Sequence, residues 1–289
     1  VQLFVVIATL TSIVKVKNLS LSFIITCMKK ISRNLKALIR QNLKDINSIW
    51  RGYTVDYSNF QNLDNCSDYT YQWSEISTEI KKRSGLADIN ANRLWNMELA
   101  AKKIHGLILS PGQIFDFWYC IPRPTIANGY KEGPTLIGNQ LMNDVGGGLC
   151  QISTTIFQAM LWANLQILER SNHSIDAHGE GRFFTLGQDA TVAYGYKNLI
   201  ARNHSQTSLQ LRLEVLAEKS RVIASVWGTT PKPLSVNISS TVLEKLPPSG
   251  NNGKPGWRVE TVRSVGTETS PASEWQVNYR AIDIYHPHA

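Results

Sequence analysis

What this 289-residue sequence lacks narrows its chemistry first. Its four cysteines, at 27, 66, 120 and 150, include no Cys-x-x-Cys pair, so neither a redox dithiol nor a disulfide framework is expected. No phosphate-cradling glycine loop or redox motif occurs, and no organic cofactor is expected. No repeat of solenoid period is present. Uninterrupted apolar runs are short: Val1–Val14 and Leu19–Met28 are split by Lys15 and Lys17, and neither spans a bilayer alone. Acidic residues are nearly missing from the first 50 positions, where Asp45 stands against eight lysines and arginines. The remaining 239 residues hold 22 basic and 21 acidic side chains, so almost all of the net +8 is N-terminal. A nearly neutral body gives no support to nucleic-acid binding.

The chain begins at Val1, and its early positive charges follow the apolar stretch, the reverse of an export signal. The run ending Ile-Ile-Thr-Cys27 has the outline of a lipoprotein box, but Thr26 stands where a smaller residue is usual. A start at Met28 would be an ordinary cytoplasmic one. The expectation is a cytoplasmic protein, with export as the alternative. A basic amphipathic helix over residues 31–46, with Ile31, Leu35, Leu38 and Ile39 on one face, offers weak contact with an acidic membrane surface.

The most informative stretch is Gly146-Gly-Gly-Leu-Cys-Gln151, followed 23 residues after Cys150 by His173. Ile152, Ile156 and Met160 recur at helical spacing with Phe157 and Leu161, which predicts a helix with one buried face ending near Trp162–Asn164. Cys150 then lies in the first turn, where the helix dipole favours the thiolate. The glycines Gly146, Gly147 and Gly148 permit a sharp turn, and Gly148 and Gln151 are candidate oxyanion donors. Leu165–Arg170 reads as a returning strand that brings His173 toward the cysteine. Residues 187–192 read as a turn entering a second strand, with Asp189 placed to orient the imidazole. His178 is an alternative to His173, and Asp144 or Asp176 to Asp189. Zinc held by Cys150, His173, His178 and Asp189 is disfavoured, since closely spaced ligand pairs are missing.

Elsewhere, residues 47–85 are polar and aromatic, a lead-in packed on the main domain, with an aromatic carbohydrate platform as the sharper alternative. Asn96 resembles an N-cap for a helix that Gly106 ends. Leu107–Leu109 reads as a strand, Ser110-Pro-Gly112 as a type II turn, and Gly129–Gly133 as a loop. Five β-rich runs lie between Thr191 and Ile238, and Trp257–Val265 with Trp275–Ile284 reads as an antiparallel pair. The expected fold is α+β: a few helices on a mainly antiparallel sheet, with a β-rich C-terminal extension. Expected divisions are 1–50, an apolar and basic segment; 51–230, the main domain with its motif-bearing core at 96–215; and 231–289, the extension.

Five motifs occur in order: Ser110-Pro-Gly-Gln-Ile-Phe-Asp-Phe117, Gly129-Tyr-Lys-Glu-Gly133, Gly146–Ser153, Glu169-Arg-Ser-Asn-His-Ser174 and Gly187-Gln-Asp-Ala-Thr-Val192. Their order and spacing resemble the VanW family, named after an accessory product of vancomycin-resistance gene clusters. The resemblance implies a bacterial-envelope role linked to glycopeptide resistance, without an established reaction. Asn164 and Asp116 depart modestly from the family pattern. Arg170, inside the fourth motif, joins Gly146, Gly147, Gly148 and Gln151 as an expected ligand contact.

Two function classes follow. One is a cysteine hydrolase or acyltransferase acting on amides of cell-wall peptide or its precursors, with Cys150 as nucleophile, His173 as base and Asp189 as orienter. The other is a non-catalytic module that holds a peptide carboxylate at the helix N-terminus. The sequence leaves the oligomeric state open.

Overall fold

A computed structural model describes residues 32–53, 56–62, 68–82, 86–137, 140–248 and 253–288. Cys27, Cys66, Ile31 and the two N-terminal apolar runs lie outside the described residues. The fold is α+β with antiparallel strands in several sheets and a β-rich C-terminal part, as the sequence pattern predicts.

The chain enters through helix α1 (Arg33–Trp50) and strand β1 (Tyr71–Glu79), followed by α2 (Ala87–Ile104), β2 (Leu107–Leu109) and β3 (Ile114–Asp116). A short helix α3 (Phe117–Cys120) precedes the hairpin β4 (Glu132–Ile137) and β5 (Gln140–Val145), which leads into α4 (Leu149–Trp162). Then come β6 (Gln166–Glu169), β7 (Ile200–Arg202), β8 (Leu209–Leu216) and β9 (Arg221–Gly228). The chain closes with β10 (Ser235–Leu246), β11 (Gly256–Gly266) and β12 (Gln276–Tyr285). Strands β1-β9-β8-β2 form a four-stranded sheet, β3-β7-β6 and β10-β11-β12 form two three-stranded sheets, and β4-β5 stands as a pair.

Alternation along β9 buries Val222, Ala224 and Val226 completely, and this face packs on α4. The helix is enclosed on all sides, not on one face as its apolar period suggests: every residue from Gln151 to Leu161 is buried. Burying Ser153, Thr154 and Thr155 is tolerated because each hydroxyl is hydrogen-bonded. From the C-terminal sheet, fully buried Arg263 donates to the carbonyls of Leu161 (3.0 Å) and Leu165 (2.8 Å). A cation there adds a donor to carbonyls at and just beyond the helix end and complements its dipole. That bond fastens the C-terminal sheet to the helix that carries Cys150.

Several sequence expectations hold locally. Helix α4 ends at Trp162 with Asn164 left-handed (φ 61°). Ser110–Gln113 closes as a turn with Gly112 at φ 85°. Others need correction. Asn96 is no N-cap: α2 begins nine residues earlier, and Asn96 is buried in its middle. The Gly129–Gly133 loop already enters β4 at Glu132. The aromatic lead-in contains β1, which pairs with β9 and places Trp73 in the core. Residues 187–192 form no strand, because α4 and Arg170 take their backbone groups. Ser153 and Thr154 donate to the Ala190 carbonyl, and Arg170 to those of Gly187 and Asp189. Residues 191–196 likewise form a bridge and turn at Ala193 and Lys197 rather than a strand.

Helix α1 docks through Ala37, Gln41 and Ser48, all buried, and through a Lys44–Glu169 ion pair of 2.5 Å. The turn at Gly195 (φ 77°) lies so close to Ala37 that a Cβ there would come within 2.1 Å of its carbonyl oxygen. Leu35, Leu38 and Ile39 are exposed. Among the described residues no helix is long and apolar enough to cross a membrane.

Candidate active site

The site grows from the turn before α4. Gly146 and Gly148 hold φ values of 96° and 104°, which L side chains rarely adopt. Added Cβ atoms would also meet Pro124 and Met97, each at 2.7 Å. Asn96 fixes this turn from α2. Its amide donates to the carbonyls of Gly147 (3.0 Å) and Lys131 (2.9 Å), and its oxygen accepts from the Lys131 N–H (2.8 Å). Sequence reasoning missed this role, although an asparagine inside a helix, on the same face as Ala100 and Ile104, was its signal.

Cys150 is the second residue of α4 and is partly exposed. Its sulfur lies 3.3 Å from the Thr191 hydroxyl and 3.6 Å from the Val192 carbonyl oxygen, and shares a hydrogen bond with His173. The other side of the imidazole, Nδ1, meets Asp189 Oδ2 at 2.5 Å. The same oxygen accepts the His173 backbone N–H at 2.8 Å, so ring and main chain are held together. His173 also stacks on Phe184, with ring centroids 5.9 Å apart and planes 14° from parallel.

Asp189 is completely buried and fully paired. Its Oδ1 accepts from the Tyr285 hydroxyl (2.5 Å) and from Arg170 Nη2 (3.2 Å). Arg170 continues outward, donating from Nη1 to both oxygens of Asp283 at 2.6 Å. The structure therefore brings Cys150, His173 and Asp189 into one chain of contacts, backed by β12. The alternatives lie elsewhere: Asp176 pairs with Arg182 (3.0 Å), exposed His178 packs edge-on to Phe183, and Asp144 lies in β5.

Electrostatics follow from these contacts. Burial disfavours charge on all three groups, but their mutual pairing outweighs it. Asp189 is held down at about 2, chiefly by the His173 hydrogen bond and charge, with Arg170 and Tyr285 adding to them. His173 is pushed up to about 10 by Asp189 and Cys150. The Cys150 thiol falls below its ordinary value because its hydrogen bond and charge interaction with His173 outweigh burial. Both shifts favour the thiolate–imidazolium form of the pair over the neutral one. Cys120 contrasts: burial first, then the Asp116 charge, pushes its thiol up to about 12.

The expected ligand contacts divide. The side-chain amide of Gln151 donates to Thr78 Oγ1 (3.1 Å) and the Glu79 carbonyl (2.9 Å) and accepts from Arg93, and its N–H bonds Gly148. Gln151 thus ties α4 to β1. Arg170, with its side chain 5% exposed, serves Asp189 and Asp283. The N–H groups of Gly148 and Cys150 have no acceptor among the described residues. No cluster of metal-ligating side chains occurs among the described residues.

Residues 92–227 match the family described as "VanW like protein", so this segment of the chain is a VanW-like domain. Among similar proteins is the vancomycin B-type resistance protein VanW of Enterococcus faecalis, 30% identical over 160 residues, 55% of this chain and 58% of that one. Another is the uncharacterized protein YoaR of Bacillus subtilis, 32% identical over 123 residues, 43% of this chain and 39% of that one. The chain thus spans less than two thirds of either relative's length. The first relative links the family to vancomycin resistance. No solved structure matches. Tyr285 and Asp283, which complete the site, lie outside the family-matched segment.

Proposed function

We propose that this chain is a cysteine-dependent acyltransferase or hydrolase acting on amide bonds of cell-wall peptide or its precursors. The observation that carries the reading is the Cys150–His173–Asp189 chain, in which the thiol is lowered and the imidazole raised. A buried structural cysteine gains nothing from such a pair, and an activated nucleophile requires one. The cell-wall substrate is taken from the relative named for vancomycin resistance.

The thiolate attacks the carbonyl carbon, forming a C–S bond and a tetrahedral oxyanion. The N–H groups of Cys150 and Gly148 are the donors best placed by sequence position to receive that oxyanion. His173 gives its proton to the amide nitrogen as the C–N bond breaks, leaving a thioester and a free amine. Water or an acceptor amine then attacks, passing a proton to His173, and the C–S bond cleaves to restore the thiolate. Asp189 remains ionised throughout and holds the ring in orientation.

The test is the pH dependence of Cys150 alkylation by iodoacetamide, with Cys27, Cys66 and Cys120 replaced by serine. A midpoint well below the ordinary thiol value of about 8.5, rising in His173→Ala, supports the reading. A thiol inert until unfolding makes Cys150 a core residue and leaves the binding module as the better account. Turnover of purified cell-wall peptides, absent in Cys150→Ser, then identifies the amide.

A further inference from the structure

Along the Asp189–Arg170–Asp283 chain, a cleft of about 540 Å³ opens between residues 167–172 and β12. Its volume falls within the range of small-molecule sites. Ile167, Ala281 and Ile282 give it an apolar wall, and Ser171 and Asn172 give it a polar edge. Three charged side chains line it: Arg170, Asp283 and Lys197. Arg170 and Asp283 neutralise each other through two bonds of 2.6 Å. The cleft is left with one cation, Lys197.

Lys197 is half-buried, and its ammonium donates to the Asn172 carbonyl at 2.9 Å, one residue before His173. Among the described residues no carboxylate lies in ion-pair range of it. Burial lowers its pKa, while the nearby charges of Cys150 and Asp189 oppose that, so the ammonium lies within the electrostatic reach of the nucleophile. Holding one carbonyl does not require a positive charge, and a half-buried ammonium without an anion carries a desolvation cost.

We propose that Lys197 seats a carboxylate of the substrate, the rest of the acyl portion lying along the Ile167–Ile282 wall. The substrate class is then an anionic peptide with small aliphatic groups near the scissile amide. One lysine, a point charge with no matching arginine free to form a fork, suits a single carboxylate better than a phosphate. The inference rests on the proposed nucleophile, whose partner His173 directly follows Asn172, and it adds selectivity to that reading.

Iodoacetate and iodoacetamide have nearly the same size and differ in charge, so their rate ratio at Cys150 probes the seat directly. The protein is the full chain with Cys150 as its single cysteine, alone and with Lys197→Gln, which keeps a donor for the Asn172 carbonyl. The expected result is a fall of about tenfold in the iodoacetate-to-iodoacetamide ratio, modest beside what a charge at contact distance can give. A change in thiol pKa or local packing alters both rates together and leaves the ratio alone. An unchanged ratio with a reactive Cys150 overturns the carboxylate seat and leaves the nucleophile standing. If Cys150 resists both reagents, the nucleophile reading falls, and binding of N-acetylalanine followed by NMR decides the seat. Amide shifts at Asn172 that vanish in Lys197→Gln and are not produced by N-acetylalaninamide support it. Their absence overturns it.

Discussion

Tyr285 donates its hydroxyl to Asp189 across 96 residues of sequence, at 2.5 Å and fully buried. The last strand of the C-terminal sheet thereby touches the carboxylate that orients His173. Replacing Tyr285 by phenylalanine removes one of two partners of Asp189 Oδ1 and leaves Arg170 in place. The Gly187 N–H, which donates to the same hydroxyl at 2.8 Å, loses its acceptor too, and the expected cost is about 2–3 kcal/mol, read by urea denaturation. Because His173 loses part of its fixed partner, iodoacetamide reaction of Cys150 should slow at pH 7 without loss of fold.

Arg170 carries more. It bridges Asp189 and Asp283 with a side chain only 5% exposed. Arg170→Met strands the buried Asp283 and takes one partner from Asp189, which keeps His173 and Tyr285, and breaking a buried pair in this way costs about 3–5 kcal/mol. Adding Asp283→Leu removes the stranded charge. The double variant should recover part of the loss, measured as a rise in the urea midpoint over the single variant.

Asp189→Asn separates charge from shape. Without the carboxylate, His173 should titrate well below its value of about 10, followed by imidazole NMR, and the thiol midpoint should move up. The sign for stability is equally definite. Asp189 is depressed to about 2, so its ionised form contributes stability above about pH 4, the ordinary aspartate value, and that contribution is lost as pH falls through 2. The stability gap between wild type and Asp189→Asn should therefore narrow on acidification from pH 5 to 3. A gap that widens contradicts this assignment.

Asn96→Ala tests the brace beneath the glycine turn. It leaves the Gly147 and Lys131 carbonyls and the Lys131 N–H without their side-chain partner. A loss of about 1–3 kcal/mol is expected for unsatisfied buried groups. Alkylation of Cys150 should slow with it, whereas Asn90→Ala, in the first turn of the same helix, should leave the reaction rate unchanged.

Local sequence determined what local chemistry controls. The glycines preceding Cys150 announce a turn, the four-residue apolar period announces α4, and Asn164 marks its end, because φ > 0 and helical spacing are properties of a few neighbouring residues. Alternation likewise reveals β8 and β9, whose inward faces are apolar, and β11, whose inward face sets Thr261 and Arg263 between Val259 and Val265. It did not reveal β1, where polar residues such as Ser74, Glu75 and Ser77 hide the pattern and pairing with β9 supplies the order. Nor did it show that residues 187–192 would spend their backbone groups on α4 and Arg170 rather than on a neighbouring strand.

The groups of the candidate site were thus legible as residue types in order: a thiol at a helix start, a histidine after a strand, an aspartate in a turn. Their convergence was decided by tertiary structure. Asp189 meets His173 across 16 residues, but what keeps it buried and ionised comes from Arg170 and from Tyr285, far along the chain. A buried charge persists only where donors surround it, and donors that distant are brought together by packing of the C-terminal sheet on α4. Nothing in the sequence around Tyr285 distinguishes it from any aromatic residue ending a strand. Spacing names the chemistry, and the fold supplies the low-dielectric surroundings and the partners that give it a charge state.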